Sequence, residues 1–514
     1  MHRTGVAFLV ALGATAHAQT PSPDALRQKV RTYRASHDVA ITRELTDFLA
    51  IPNLATDSAN IRKNADHLVG MMSARGIAAR RLESATGGPP AVYGELRTPG
   101  ATKTVVFYAH YDGQPVGDTT QWATMPWRPV LRDNTLDAGG KVIPIPGTPG
   151  AIQGEWRLYA RAASDDKGPI VAMLAAVDAL RAASVPPSVN LKFFFEGEEE
   201  AGSGHLRDLL ERNRDLLKAD AWLFGDSPVH QSRRQMVVFG VRGVTGVELT
   251  VYGPSHGLHS GHYGNWAPNP VTRLANLIAS MRNDDGRILI KDFYADVVPI
   301  SAAERKAIAN IPGVDSAMRA ETQLAATEAN GAPLVERIML PALNLRGIRG
   351  GGTSNTIPTE ATASIDFRLV PKQTPESVRR RVETHLRSQG YFVVDHVPTA
   401  AERTAHAKIA RVAWESGYAP TRVPMDSPLS QAVIRSVQDA IGEPIVALPT
   451  MGGSLPLYEF ENVMHEPLIV LPIVNHDNNQ HSVNENLRMQ NLFDGIEVYA
   501  GVLARLGSYW SVRP

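Results

Sequence analysis

Val189-Asn190-Leu191-Lys192-Phe193-Phe194-Phe195-Glu196-Gly197-Glu198-Glu199-Glu200-Ala201-Gly202-Ser203 decides how this chain is read. The mostly apolar run from Val189 to Phe195 has the composition of a buried strand. It delivers four acidic residues in the five positions 196–200. Carboxylates in such a place repel one another and must be desolvated, unless a cation or a proton compensates. Open α/β sheets gather their chemistry at the carboxyl ends of parallel strands. A solvated acidic turn would carry the same residues. Four other segments with metal-type ligands in similar settings separate the two possibilities.

His110 ends the predicted strand Thr104 to Ala109, in His110-Tyr111-Asp112-Gly113-Gln114-Pro115. Asp112, two residues on, can accept a hydrogen bond from the far ring nitrogen, which fixes the tautomer and raises ligand basicity. A strand-end histidine also serves purely structural ends. Ser164-Asp165-Asp166-Lys167-Gly168 opens a predicted helix running from Gly168 to Ala183. A helix start favours carboxylates through its dipole; an Asp cap accounts for one of the pair but not both. Asp226 follows the predicted strand Ala221 to Phe224, and His481 stands in His481-Ser482-Val483-Asn484-Glu485 before a last long helix. These positions offer two imidazoles together with carboxylates. Such donors suit zinc, manganese or cobalt, and their number suits two ions sharing a bridging carboxylate. One member of the run Glu198-Glu199-Glu200 would then stay off the metals and carry a proton.

Composition narrows the choices. The 514 residues carry 52 basic and 52 acidic side chains and a formal net charge of zero, which gives no electrostatic case for nucleic acid or an anionic membrane. The chain has no cysteine, which rules out disulfides and thiolate ligands, so any metal site uses His, Asp and Glu. Residues 1–18 read as a secretory signal: a short basic start, an apolar run over Gly5 to Ala14, and the small-x-small sequence Ala16-His17-Ala18. Export to a periplasmic or extracellular compartment is the expectation, with no stretch long enough to span a membrane.

Residues 19–240 alternate apolar strands with amphipathic helices, the pattern of an α/β layer with a mostly parallel sheet. Asp24 to Ala50 and Leu206 to Leu217 are the further helices there, and Gly139 to Gly154 is a Pro/Gly-rich loop or small hairpin. From 241 to 422 the pattern changes to alternating strands, Val244 to Tyr252 and Ala361 to Leu369, with helices Asn269 to Met281 and Pro375 to Ser388. From 423 to 514 the first pattern resumes, with helix Pro428 to Ile441, strand Leu468 to Ile473 and helix Leu487 to Leu506. The expected fold is an α/β catalytic domain made from both ends of the chain, interrupted by a smaller α+β domain.

Taken in order, these motifs resemble those of the co-catalytic zinc peptidase family of carnosinases and related dipeptidases, glutamate carboxypeptidases, succinyl-diaminopimelate desuccinylases and aminoacylases. The carnosinase-like branch is the nearest. The resemblance covers nearly the whole mature chain and implies two divalent ions, zinc first, with manganese or cobalt as alternatives. It implies that His110 and Asp226 bind one ion, His481 the second, and that Asp165 bridges them. Glu199 would be the general base and Glu200 a metal ligand, with Gly202-Ser203 setting that register; Glu198 leaves a shift by one open. Asp112 would orient His110, and the Asp165–Asp166 peptide would be cis. In the second domain, Leu258-His259-Ser260-Gly261 resembles the lid motif whose histidine stabilises an oxyanion, often across a homodimer, with His256 and His262 as bystanders. Asp366-Phe367-Arg368-Leu369-Val370-Pro371 resembles the segment whose arginine grips a substrate carboxylate. Thr356, Gly453 and Ser454 would hydrogen-bond substrate, although the glycines at 350–352 and 452–453 also suit plain turns. Asn475-His476-Asp477-Asn478-Asn479-Gln480 departs from the family pattern and makes His476 a minor rival of His481.

The implied activity is hydrolysis of the amide bond of a dipeptide or small peptide with a free C-terminal carboxylate. An N-acyl amino acid amidohydrolase is the alternative, using the same machinery. A non-catalytic metal-dependent solute binder is a third reading, which the presence of Glu199 disfavours.

Overall fold

The computed structural model describes residues 21–510 except Thr353 and Ser454, so the predicted signal over residues 1–18 lies outside the described residues. An eight-stranded sheet runs in the order Ala78–Leu82, Ala91–Leu96, Asn190–Glu196, Thr104–His110, Ala221–Phe224, Leu468–Val470, Met236–Val238, Val446–Leu448. Its four central strands, from Asn190–Glu196 to Leu468–Val470, are parallel. The two strands before them are antiparallel, as is the pairing of Val470 with Val238, so the sheet is mixed outside its centre.

The central strands are buried on both faces, which explains their almost unbroken apolar runs. Val105, Phe107, Phe193 and Phe195 join the core on one face, under the helices Pro23–Leu49, Lys167–Ala182, Pro428–Ile441 and Met489–Tyr509. Val106, Tyr108, Phe194, Trp222 and Phe224 join the core on the other. There Phe460, from helix Leu457–Met464, meets the rings of Tyr108, Trp222 and Phe224 at centroid distances of 4.9–5.1 Å.

A second, five-stranded sheet has the order Ala342–Arg349, Glu360–Leu369, Gly243–Tyr252, Ile409–Trp414, Phe392–Val394 and its own core beneath helices Pro270–Met281 and Pro375–Ser388. Between Met281 and Ala342, short helices at Ala302–Ala309, Asp315–Glu321 and Leu334–Arg337 lead back toward the first sheet, where Ala302–Ala309 packs beside strand Val446–Leu448.

Several sequence expectations shift in detail. The helix expected over Leu206 to Leu217 breaks at Asn213 into Leu206–Arg212 and Arg214–Leu217. The strand expected over Leu468 to Ile473 ends at Val470. The last helix begins at Met489, because Asn486–Arg488 joins a small antiparallel sheet with Arg157–Tyr159, Val130–Arg132 and Val142–Ile143. The Gly139 to Gly154 stretch therefore contributes an edge strand to that sheet. Its far end is tied to the first helix, where the Asp38 carboxylate accepts the N–H groups of Gly150 and Ile152. Among the described residues, no helix is long and apolar enough to cross a membrane.

Candidate active site

Parallel register brings the acidic and imidazole groups to one level. His110 pairs with Glu196 and Tyr108 with Phe224, so His110, the Glu198–Glu200 turn and Asp226 all leave the same edge of the sheet. Asp165 reaches that edge from the turn before helix Lys167–Ala182, through a cis Asp165–Asp166 peptide. His481 comes from the loop after strand Leu468–Val470.

The result is two overlapping groups that share Asp165: His110 with Asp165 and Asp226, and Asp165 with Glu200 and His481, each with one ligand atom per residue within 4.8 Å of the others. Nε2 of His110 lies 3.1 Å from Oδ1 of Asp165 and 3.8 Å from Oδ2 of Asp226. Nε2 of His481 lies 3.1 Å from Oδ2 of Asp165 and 3.3 Å from Oε2 of Glu200. Two ligands each about 2.0–2.1 Å from one tetrahedral ion stand about 3.3 Å apart, so these spacings fit a shared divalent cation. The donor set of imidazole and carboxylate fits zinc-like ions too. Oδ2 of Asp165 is buried and faces Nε2 of His481, as a ligand atom of the second group would.

Burial opposes charge throughout the cluster. It pushes Asp226 up to about 7 and Glu200 up to about 8, with Asp165 adding to both. Burial also pushes Glu199 well above the ordinary carboxyl range. Burial works to lower His110, but its contacts with Asp112 and Asp165 outweigh that and hold the ring well above its usual value. Contact with Asp165 raises His481 to about 9. Asp165 itself is drawn down: burial raises it, and the two imidazoles more than offset the effect. A divalent cation reverses this logic by favouring every carboxylate and neutral imidazole that faces it.

Glu199 belongs to neither ligand group and lines the adjoining cavity. Glu198 is turned away, 2.8 Å from Nδ1 of His205. Asp112 does more than its spacing suggests. Its Oδ1 lies 3.3 Å from Nδ1 of His110, while its two oxygens accept the N–H groups of Glu199 and Glu200 at 3.1 and 3.0 Å. One carboxylate thus fixes both the imidazole and the Glu199–Glu200 turn.

Glu485, which the sequence reading left without a role, supports the other side. Fully buried, it accepts the N–H groups of Ser164 and Asp165 on Oε1, both at 3.0 Å, and that of Ala162 on Oε2 at 2.9 Å. Arg161 pairs with Oε2 at 2.8 Å. The Asp165 turn is therefore held in place from the segment that carries His481. Only tertiary burial distinguishes Glu485 from a solvated residue near a helix start.

The remaining predicted residues are dispersed. Gly453 and His476 line the cavity, whereas His259, Thr356 and Arg368 are not part of its wall. His259 pairs across a short ladder with Thr356. Nδ1 of His259 accepts the N–H of Gly261 at 3.1 Å, so Nε2 is the ring nitrogen left to donate. Arg368 pairs with Asp366 at 3.0 Å. Ser454 lies outside the described residues.

A family model described as Peptidase family M20/M25/M40 matches residues 106–505. The chain is 27% identical over 432 residues to a Cys-Gly metallodipeptidase of Schizosaccharomyces pombe, covering 82% of this chain and 83% of that protein. It is 27% identical over 511 residues to a Beta-Ala-His dipeptidase of Homo sapiens, covering 94% and 93% respectively. Among solved structures, an M20 family metallo-carboxypeptidase from Sulfolobus solfataricus matches with a TM-score of 0.71 at 26% identity, covering 91% of this chain and 99% of that one.

Proposed function

We propose that this chain, which belongs to peptidase family M20/M25/M40, is a metallodipeptidase that hydrolyses the amide bond of dipeptides or similarly small peptides with a free C-terminal carboxylate. The observation that carries the proposal is the pairing of two ligand groups through Asp165 beside a half-buried glutamate, Glu199, that belongs to neither.

His110, Asp165 and Asp226 would hold one ion and Asp165, Glu200 and His481 the other. Zinc is the first choice for this cysteine-free donor set, with manganese and cobalt next. Divalent ions in such a site polarise the scissile carbonyl and lower the pKa of the attacking water. Glu199 takes the proton of that water and returns it to the leaving amine. Burial among carboxylates raises its proton affinity, as a base that must also act as an acid requires. Asp112 keeps Glu199 and His110 in register through its three contacts. The Nε2–H of His259 is suited to donate to the developing oxyanion, and Arg368 to fork onto the C-terminal carboxylate. Thr356, Gly453 and Ser454 would complete the substrate contacts. Delivery of His259 and Arg368 by residues 241–422 acting as a lid, in a homodimer, belongs to the same proposal.

The test is mass-spectrometric cleavage of a mixed pool of dipeptides and N-acyl amino acids by protein loaded with zinc or manganese, with chelated protein and Glu199→Ala as controls. Metal-dependent release of amino acids from dipeptides, absent in Glu199→Ala, is the expected result. Turnover confined to the N-acyl compounds would replace the dipeptidase with an aminoacylase. No turnover by protein holding two ions per chain would refute both.

A further inference from the structure

The cavity beside Glu199 is larger and less polar than the hydrolysis itself needs. It has a volume of about 810 Å³, with Asp165, Glu199, Asp226 and His481 among its lining residues. Much of the remaining wall is apolar and comes from the short-helix segment between Met281 and Ala342, through Ile308, Ile311, Val314, Val335 and Ile338, with Met451 from the catalytic side.

This wall is built in, not draped over. Ile311, Val335 and Met451 pack against the core on one face of the large sheet. Helix Ala302–Ala309 starts with a reciprocal cap between Ser301 and Glu304, and Glu304 pairs at 3.3 Å with Arg422, both side chains being 9% exposed. The segment is thus anchored through packing, capping and a shielded ion pair.

The direction of a substrate through the site follows from what the cavity lacks. His259 and Arg368, the groups assigned above to the oxyanion and the C-terminal carboxylate, are not part of its wall. The part of the substrate that enters the cavity is then the acyl side of the scissile bond. A glycine there would leave the apolar wall facing water; a large hydrocarbon side chain would cover it.

We propose that this cavity is the acyl-side pocket of the enzyme, and that it selects substrates whose N-terminal residue carries a bulky apolar side chain of the leucine or phenylalanine class. The assignment rests on the reaction proposed above, and the experiment separates the two. Binding is measured by calorimetry on manganese-loaded Glu199→Gln protein, with Leu-Gly, Phe-Gly and Gly-Gly as probes; turnover of the same peptides is measured on the wild type. Leu-Gly and Phe-Gly are expected to bind ~10–100-fold more tightly than Gly-Gly, the range for filling an apolar pocket. In the Glu199→Gln background, Ile311→Trp, which fills the pocket, should reduce that ratio to about threefold or less; Val335→Asp, on a short surface helix, should do the same should the tryptophan variant not fold. Equal affinities of the three peptides for protein with the unaltered pocket overturn the proposal, whatever the wild type hydrolyses. So does a ratio that persists in a folded variant. An apolar preference in binding without wild-type turnover would sustain the pocket and sink the hydrolase instead.

Discussion

Metal uptake by this protein should expel protons, and their number can be worked from the site. At pH 6.5, Glu200 with a pKa of about 8 and His481 with one of about 9 are almost fully protonated in metal-free protein, and Asp226 at about 7 is mostly so. His110 is held well above its usual value and carries a proton as well, whereas Asp165 carries none. Ligands bind in their deprotonated forms, so occupation of both ion sites releases these protons. Summed over these four groups, about three to four protons per chain is the expected release. The same residues with ordinary values would release about one, from two half-protonated imidazoles. Calorimetric titration of chelated protein with manganese, in two buffers of different ionisation enthalpy, counts the protons directly. Each proton released makes the apparent affinity rise about tenfold per pH unit near neutrality. A release of one proton or fewer would refute the claim that burial of the carboxyls and carboxylate contacts to the imidazoles set the resting protonation of this cluster. Stability carries the same signature with a definite sign. Glu200, Asp226 and His481 all have folded-state pKa values above their unfolded ones. Each therefore binds its proton more tightly when folded, and its stabilisation is present at low pH and lost as pH rises. The loss runs from the ordinary carboxyl range to about 7–8 for the two acids, and from 6.5 to about 9 for His481. Denaturant midpoints of chelated protein should fall from pH 5 to pH 9, and the fall should be suppressed in metal-loaded protein.

Glu199→Gln should lower kcat by ~10²–10⁴ while the protein still holds two ions per chain by metal analysis; loss of the ions would make Glu199 a ligand and not the base. Glu485→Ala removes the partner of buried Arg161 and the acceptor of three N–H groups, so urea unfolding should show a loss of ~3–5 kcal/mol. Metal affinity in that variant should fall ~10–100-fold, as for other groups that orient ligands; an unchanged affinity would restrict Glu485 to the fold. Glu198→Gln should leave kcat within about threefold, since its carboxylate faces His205; a collapse of activity would mean that the acidic turn works one residue earlier than proposed. Mixing His259→Ala with Glu199→Ala protein should restore part of the activity if His259 serves a neighbouring subunit, and no recovery despite demonstrated subunit exchange would confine His259 to its own chain.

What the sequence made legible follows from where its signals are local. The central strands are apolar over most of their length because both faces are buried, so 104–110, 190–196 and 221–224 could be read directly, and with them the level at which His110, the acidic turn and Asp226 would emerge. The antiparallel margins were harder. Ala78–Leu82 exposes most of its residues, and Val142–Ile143 is two residues long, too short for any periodic pattern. The acidic turn held an ambiguity that only tertiary contact resolves: three consecutive glutamates look alike until His205 takes the first and the Asp112 carboxylate anchors the N–H groups of the other two.

The same distinction separates the chemistry from its selectivity. Groups that must converge on an ion are few, polar and costly to bury, so each leaves a mark on the sequence at a strand end or helix start. A pocket wall leaves none. Ile311, Val335 and Ile338 lie in or beside short helices with weak periodicity, and an isolated apolar residue on a chain of this size is ordinary. They become a surface only when helix Ala302–Ala309 docks beside strand Val446–Leu448, a contact between residues more than a hundred positions apart. The reaction proposed for this chain therefore dictates the ligand groups and the base, whereas the residues proposed to choose the acyl side need only be apolar and of the right size.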